Sequence, residues 1–141
     1  MKKESTMRIT IKQYDQRQLV RNKNLIKIAK LSYGSEGIIL GQITESFERL
    51  FGGANQITFY VAYHKSAPIG ILTIEHGYYN TEINNFTMPK FRRKGIMRKL
   101  ISKAFKTNNK FRKAVMNEDV ETHSDKQDKI LNELGGTGLY D

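Results

Sequence analysis

The pattern of hydrophobic and polar positions divides the chain into short strands and amphipathic helices. Alternating isoleucines predict a strand over residues 7–14. Hydrophobic residues three and four apart then predict a helix over residues 16–31, which Asp15 can cap, and a second helix over residues 41–51.

The middle of the chain predicts an antiparallel sheet. Dense runs of β-forming residues predict strands over residues 57–63 and 69–75, joined into a hairpin by a turn at residues 64–68. A third strand is predicted over residues 79–88. Pro89 ends it, because proline has no N–H to donate to a sheet.

The last third of the chain predicts helices around one short strand. Amphipathic spacing indicates helices over residues 95–107 and 125–134, with a strand over residues 114–116 between them, and residues 137–140 could add another. The element order is therefore β-α-α-β-β-β-α-β-α. It predicts an α/β (α+β) fold class with a mixed, largely antiparallel central sheet flanked by helices.

Length and composition predict one folded domain over residues 7–141, after a loose tail at residues 1–6. The 141 residues are 38% hydrophobic, which is enough for one core. The absence of cysteine excludes disulfides and thiolate sites and favours a cytoplasmic protein. No apolar run reaches membrane-spanning length, and we expect no membrane partner. His64, His76 and His123 lack metal-ligand spacing, so no metal is expected either.

The positive charge of the chain is concentrated in one segment. Of the 24 Lys and Arg residues, eleven lie within residues 90–113, which leaves 13 against the 14 acidic residues elsewhere. No Asp or Glu occurs between Ile83 and Asn117. Such a patch attracts a polyanion: a phosphorylated cofactor, nucleic acid or an acidic membrane surface. Solvated helix lysines account for some of these residues.

The candidate chemistry lies in this basic segment, where a strand ends and Gly95 opens a helix. Backbone N–H groups at a helix start are unsatisfied, and together with the helix dipole they form an anion site. Successive amides in a tight turn make a concave nest for phosphate oxygens. Arg92, Arg93 and Lys94 add positive charge around that nest.

This stretch resembles motif A of the GNAT (GCN5-related N-acetyltransferase) superfamily, whose pattern is Arg/Gln-x-x-Gly-x-Gly/Ala. The matching residues are Arg92-Arg93-Lys94-Gly95-Ile96-Met97, flanked by Pro89 and Phe91 before them and by Leu100-Ile101 after them. The resemblance implies a GNAT-like acyl-CoA N-acyltransferase fold, shortened at the C-terminus. Its layout extends over nearly the whole chain, although the sharp match is confined to residues 83–101.

The resemblance also implies an activity, in which acetyl-CoA is the co-substrate and its acetyl group passes to a primary amine in a direct ternary complex. The cofactor-binding residues would be Phe86, Thr87, Met88, Arg92, Arg93, Lys94, Gly95, Ile96 and Met97. The amides of residues 93–97 would hold the pyrophosphate, and the backbone of residues 86–88 would contact the pantetheine arm. A polyamine, an amino acid, an antibiotic, a peptide N-terminus and a lysine side chain all remain open as acceptors.

Three features depart from the family pattern. Met97 stands where glycine or alanine is usual, and Leu131 stands where many relatives have a tyrosine that protonates the departing thiolate. The chain also ends soon after Gly135, before the usual final pair of strands. The acceptor side of the site is therefore open or is completed by another subunit, as in a homodimer.

The catalytic residues are predicted from position alone. Amine acetylation needs a base, and Glu82 lies where several relatives place a carboxylate, with Glu75 as its rival. Tyr140 is the late tyrosine that could replace the lost acid. Tyr78 and Tyr79 could line the acceptor pocket. Each of these residues could equally be an ordinary surface or packing side chain.

Two further interpretations remain open. A degenerate GNAT domain would bind CoA without efficient catalysis, and Met97 and Leu131 favour it. A basic nucleic-acid-binding module would account for more cations than one cofactor needs, but the segment has no recognisable nucleic-acid-binding motif. An acetyltransferase that docks an acidic protein or nucleic acid would combine these roles.

Overall fold

A computed structural model describes residues 7–32, 56–77 and 80–135. Its strands are β1 Thr10–Tyr14, β2 Gln56–His64, β3 Ala67–His76, β4 Thr81–Thr87 and β5 Val120–Glu121; its helices are α1 Gln16–Val20, α2 Lys23–Ser32, α3 Ile96–Thr107, α4 Asn109–Met116 and α5 Asp125–Gly135. None of the described helices is both long and apolar enough to cross a bilayer. The predicted tail at 1–6, helix at 41–51 and strand at 137–140 lie outside the described residues.

The five strands form one sheet in the order β1-β2-β3-β4-β5. The first three pairings are antiparallel, whereas β5 pairs in parallel with β4 through Thr81↔Val120 and Glu82↔Glu121 alone. Beyond Glu82, the outer edge of β4 has no strand partner among the described residues. We call residues 83–87 of this edge the open edge. The mixed, largely antiparallel sheet confirms the predicted fold class.

The two faces of the sheet bury separate hydrophobic clusters, because side chains alternate between faces along each strand. On β3, Ile71 faces one cluster and Leu72 faces the other. One cluster joins the sheet to α1 and α2 through Leu19, Leu25, Ile28 and Ala29; the other joins it to α3, α4 and α5 through Leu100, Ile101, Phe111, Ile130 and Leu131. Burying each larger side chain contributes about 1.5–3 kcal/mol.

The predicted helix over residues 16–31 is two helices. Asp15 caps α1 as predicted, in a capping box with Gln18. The chain leaves the helix at Arg21, and the side chain of Asn22 then accepts hydrogen bonds from the amides of Asn24 and Leu25. Asn22 therefore opens α2, since asparagine competes with the helical backbone and favours capping positions.

The strand predicted over residues 114–116 is wrong, because these residues end helix α4. The Asn108 side chain caps this helix by accepting from the Phe111 amide. Phe111, Ala114 and Val115 are buried and share one helical face. The short strand β5 follows instead at Val120–Glu121.

Two other boundaries differ from prediction. The β2–β3 turn is only Lys65–Ser66, both at positive φ (51° and 70°), so β3 begins at Ala67. Two positive φ values give a turn whose twist matches that of the hairpin. Strands β1 and β4 begin at Thr10 and Thr81, later than predicted.

Candidate functional site

A cleft of about 570 Å³ opens beside the open edge of β4, between the turn after that strand and helices α3 and α5. It is lined by Asn85, Phe86, Thr87, Phe91, Arg92, Arg93, Gly95, Ile96, Met97, Arg98, Lys126, Lys129 and Ile130. Seven of the nine predicted cofactor-binding residues are in this lining, and the other two, Met88 and Lys94, are not. The structure therefore gathers most of the predicted segment around one concave surface.

The turn into α3 leaves a row of backbone amides available. Gly95 is the N-cap at φ 80°, and the first bond within the helix runs from the Lys99 amide to the Gly95 carbonyl. From Arg93 to Arg98, no backbone N–H has a hydrogen-bond partner among the residues that the structure describes. A β-carbon on Gly95 would meet no heavy atom within 4 Å. We call residues 92–98 the basic corner.

Cations surround these amides, and among the residues that the structure describes no carboxylate lines the cleft. Arg92 is held by β4, since its Nε donates to the Thr87 carbonyl (2.9 Å) and its guanidinium lies 5.3 Å from the centre of the Phe86 ring. Arg98 hydrogen-bonds Glu133, and this contact holds the pKa of Glu133 below its usual value. The corner can therefore stabilise a group with more than one negative charge.

The open edge offers backbone groups at alternate residues. The Met88 amide donates to the Ile69 carbonyl of β3 (2.8 Å), and the Met88 carbonyl accepts from the Phe91 amide. Because antiparallel pairing alternates, the Phe86 N–H also points toward β3, whereas the N–H groups of Asn85 and Thr87 point to the open edge.

This direction of the N–H groups determines which backbone groups of the predicted segment reach the cleft. Met88 has no free backbone group to offer, and Phe86 contributes its ring to the cleft rather than its amide. The N–H groups of Thr87 and Asn85 are the ones that face the open edge.

Met97 and Leu131, the two residues that depart from the predicted motif, have different surroundings. Met97 is half-buried, packs against the core and also lines the cleft. Leu131 is buried in the hydrophobic cluster under α3. Its hydrocarbon side chain has no proton to give.

At the other end of β4, the structure assembles an acidic end from three strands and a loop. Glu82, the predicted base, contacts His123 of the β5–α5 loop, with 2.6 Å between Oε2 and Nε2. Glu82 lies between two further carboxylates in the sheet: it pairs with Glu121 of β5 on one side and with Glu75 of β3 on the other. We call these four residues the acidic end.

Part of the acidic end has the donor set of a cation site. Ligand atoms of Glu82, Glu121 and His123 lie within 4.8 Å of one another. Two carboxylates and an imidazole suit a divalent ion such as Zn²⁺. Sequence spacing gave no sign of this group, because its members come from separate elements.

A buried amide links the acidic end to the cleft. Gln127 is only 3% exposed. Its Nε2 donates to Oδ1 of the cleft residue Asn85 (2.6 Å), and its Oε1 accepts from the His123 backbone amide (2.7 Å). Because both ends of one rigid amide are engaged, the loop that carries His123 is fixed relative to β4.

Several site residues were missed from the sequence. Lys126 and Lys129 of α5 line the cleft, and Arg98, Phe91, Asn85 and Ile130 complete it. The signal for the two lysines was present: they are the only Lys or Arg residues in the sequence after Glu118, and they are three apart and hence on one helical face. The candidate tyrosines Tyr78, Tyr79 and Tyr140 lie outside the described residues.

Comparison of the sequence with protein-family models and with curated proteins found no match. Solved structures do resemble the fold. A predicted acetyltransferase from Clostridium acetobutylicum with acetyl-CoA has a TM-score of 0.58 at 17% identity, over 89% of this chain and 87% of the other.

Two aminoglycoside acetyltransferases are also similar. AAC(6')-Iy, in complex with a bisubstrate analogue of CoA, has a TM-score of 0.54 at 14% identity, over 92% of this chain and 90% of the other. An enzyme from an uncultured soil metagenomic sample, in complex with sisomicin, has a TM-score of 0.52 at 19% identity, over 89% and 83%.

Proposed function

We propose, from a chain that has the fold of the GNAT acetyltransferases, that this protein is an N-acetyltransferase. It would move an acetyl group from acetyl-CoA to a primary amine by direct transfer in a ternary complex. The observation that carries the proposal is the basic corner, whose free amides adjoin the open edge of β4 in one cleft.

The cleft suits the two halves of coenzyme A. The pyrophosphate would accept from the amides after Arg92, where the helix dipole and the nest of N–H groups favour anions. Lys126 and Lys129 face the same space from α5 and add positive charge. The pantetheine arm would extend the sheet along the open edge, where Asn85 and Thr87 offer backbone groups.

The open edge also provides an oxyanion donor. An N–H group directed at the thioester oxygen stabilises the negative charge that develops when the amine attacks, and it needs no reorganisation during the reaction. The amides of Asn85 and Thr87 have this direction. The cofactor arm would thus be held and activated by the same strand.

The acceptor is proposed to be a small-molecule amine, with a protein or peptide amine as the broader alternative. Two similar structures contain sisomicin or an acetylneamine conjugate of CoA, and both are ligands of those proteins. In this chain, the acidic end, which Gln127 links to the cleft residue Asn85, suits a cationic amine by charge.

A degenerate GNAT domain is the second candidate, and two observations favour it. Leu131 supplies no acid, and the Met97 side chain occupies part of the cleft wall. Such a protein would bind acetyl-CoA but turn over slowly or not at all. Binding and turnover therefore have to be measured separately.

Thermal unfolding with acetyl-CoA, CoA and ATP tests the binding step. A ligand at a hundredfold excess over its Kd adds about 2.7 kcal/mol to the free energy of unfolding. We expect acetyl-CoA and CoA to raise the Tm clearly and ATP to raise it little. Equal shifts for all three, or none, would contradict a CoA site.

Release of free CoA thiol with a panel of amines then tests the activity. Amine-dependent release supports the enzyme. Tight acetyl-CoA binding without release for any amine class would instead favour the degenerate domain.

A further inference from the structure

The basic segment at residues 90–113 divides into parts with different surroundings. Of its eleven Lys and Arg residues, three line the cleft: Arg92, Arg93 and Arg98. A fourth, Arg112, donates to the carbonyls of Phe105 (2.9 Å) and Lys106 (3.2 Å). The other seven are lysines that do not line the cleft. Most of the positive charge of the segment therefore lies outside the site proposed for the cofactor.

Five of these lysines are exposed on helices α3 and α4, and we call them the lysine face. They are Lys99, Lys103, Lys106, Lys110 and Lys113. The three on α3 recur at intervals of four and three residues, which places them on one side of that helix. Only Asn108 separates the two helices, and both bury their apolar residues in the same hydrophobic cluster. The five ammonium groups therefore lie on one side of the sheet.

The charge of the lysine face is not neutralised by nearby carboxylates. No Asp or Glu occurs from residue 83 to residue 117. Within the part of the chain that the structure describes, four of the five lysines form no ion pair: Lys99, Lys103, Lys106 and Lys113. Neighbouring like charges repel one another, and a polyanion that lies across them relieves this repulsion.

We propose that the lysine face binds the phosphate backbone of double-stranded DNA without regard to sequence. Duplex DNA carries about one negative charge per 1.7 Å of its axis. From Lys99 to Lys106, α3 rises about 10 Å, a length over which a duplex presents about six charges. Each ammonium group can thus meet a phosphate. This surface lies outside the proposed acetyltransferase site, and the inference stands independently of that function.

The other side chains of α4 explain why only the backbone of a duplex would be recognised. Asn108 caps the helix and Asn109 accepts from Arg112, so the side-chain types that usually read bases are already engaged. Phe111 is fully buried and Phe105 packs against the core, which leaves no aromatic ring on these helices to stack on a single strand. Duplex RNA is recognised through its 2′-hydroxyls as well as its phosphates, and ammonium groups alone do not select it.

A membrane and an acidic protein fit the lysine face less well. An anionic membrane would need an apolar helix face that can insert, but Leu100, Ile101 and Phe111 are buried in the core. Protein interfaces are poor in lysine and are anchored by aromatic or Arg side chains, and the lysine face contains neither. Charge without anchors or base-reading groups favours a phosphate backbone.

The test is binding of the full chain to a fluorescent DNA duplex of about 20 base pairs and mixed sequence, measured by anisotropy from about 50 to 200 mM salt. We expect a Kd of about 1–100 μM at physiological salt. The logarithm of the binding constant should fall with the logarithm of the salt concentration, with a slope of about −3 to −4.5, because three to five phosphates are neutralised.

Two double variants that remove the same charge separate the lysine face from net charge. Lys103→Gln/Lys106→Gln should make the slope shallower by about 2 and weaken binding about tenfold. Lys23→Gln/Lys27→Gln removes two exposed lysines of α2, which packs on the opposite face of the sheet. It should change the Kd less than about twofold, because distant charges are screened. Lys103→Arg/Lys106→Arg keeps both charges and should bind as wild type does.

Saturating CoA and Arg92→Gln separate the lysine face from the basic corner. Neither should release the duplex, because the lysine face does not line the cleft. Displacement of the duplex by CoA, or a loss in Arg92→Gln as large as that in Lys103→Gln/Lys106→Gln, would assign binding to the basic corner and overturn the inference.

Three further results would overturn the inference. One is the absence of duplex binding at the lowest salt concentration. Another is an equal loss in the two Gln double variants, because net charge alone would then account for binding. The third is tighter binding to the matching single strand, to duplex RNA, to phosphatidylserine vesicles or to polyglutamate than to the DNA duplex, which would assign the lysine face to another partner.

Discussion

The two ends of β4 carry opposite charge and are built in different ways. The basic corner is one continuous run of sequence that offers backbone amides and Arg side chains. The acidic end takes one side chain each from β3, β4 and β5 and a fourth from the following loop. A single strand of seven residues thus separates a region of positive charge from a region of negative charge.

Each end of β4 also contains a local cost in stability. Like charges directly opposite in a sheet are destabilising, and the acidic end places Glu82 opposite Glu75 and Glu121. At the basic corner, Arg93 has φ 64°, a backbone conformation that costs a non-glycine residue of order 1–3 kcal/mol. The cost is electrostatic repulsion at the acidic end and backbone strain at the basic corner.

Replacing the guanidinium at the basic corner should have the largest effect on cofactor binding. Arg92→Gln removes a charge that is held by Thr87 and Phe86. A charged hydrogen bond is worth about 1.5–3 kcal/mol, so the Kd for acetyl-CoA should rise roughly 10- to 100-fold in calorimetry. Lys99→Gln, which removes an exposed charge outside the cleft, should change the Kd less than twofold. Equal losses would mean that net charge alone attracts the cofactor.

Two substitutions of Gly95 distinguish the cost of backbone strain from the loss of space for the ligand. Gly95→Ala puts a side chain at φ 80°, which costs about 1–2 kcal/mol of stability, and its Cβ enters the space left for phosphate. We expect a lower Tm and about tenfold weaker acetyl-CoA binding. Gly95→Asn tolerates this φ better and should recover part of the Tm, but none of the affinity. Recovery of both would assign the whole effect to strain.

The smallest effect is expected at His76, the last residue of β3, whose surroundings oppose its protonation. Burial, and then the positive charge of Lys110, lower the pKa of His76 from its usual 6.5. The unfolded chain therefore takes up this proton first as the pH falls. The contribution to stability is complete above about pH 6.5 and declines below it.

His76→Gln should remove this part of the Tm decrease between pH 7.5 and 5, measured against wild type. Lys110→Gln removes a positive charge that lowers the pKa of His76, so this pKa should rise toward its unfolded value. The decrease in Tm between pH 7.5 and 5 should then be smaller than in wild type. An unchanged difference between pH 7.5 and 5 in both variants would contradict the burial of a neutral His76.

The same contrast between the two ends explains what could be predicted from the sequence. The basic corner was found because its residues are contiguous and a glycine marks its helix start. The acidic end was not, because Glu82, Glu121 and His123 meet only through a parallel pairing of two residues. That strand had no hydrophobic alternation to reveal it.

Other errors have local physical causes. The run Ala114–Met116 suits a strand or a helix, and the Asn108 cap decides for the helix. The long predicted helix was divided by Asn22, whose capping side chain outweighs the continuous hydrophobic spacing. The direction of the amides on β4, where the Met88 amide bonds to β3, depends on strand pairing and cannot be obtained from composition or spacing.

Chemical-shift perturbation of the backbone amides during titration with CoA tests the cofactor site most directly. The account predicts the largest shifts at the amides of residues 93–97, with a second group at Asn85 and Thr87. Little change is expected on the exposed lysine face of α3 and α4, which consists of Lys99, Lys103, Lys106, Lys110 and Lys113. Shifts confined to that lysine face, or no shift at residues 93–97 when CoA is saturating, would contradict it.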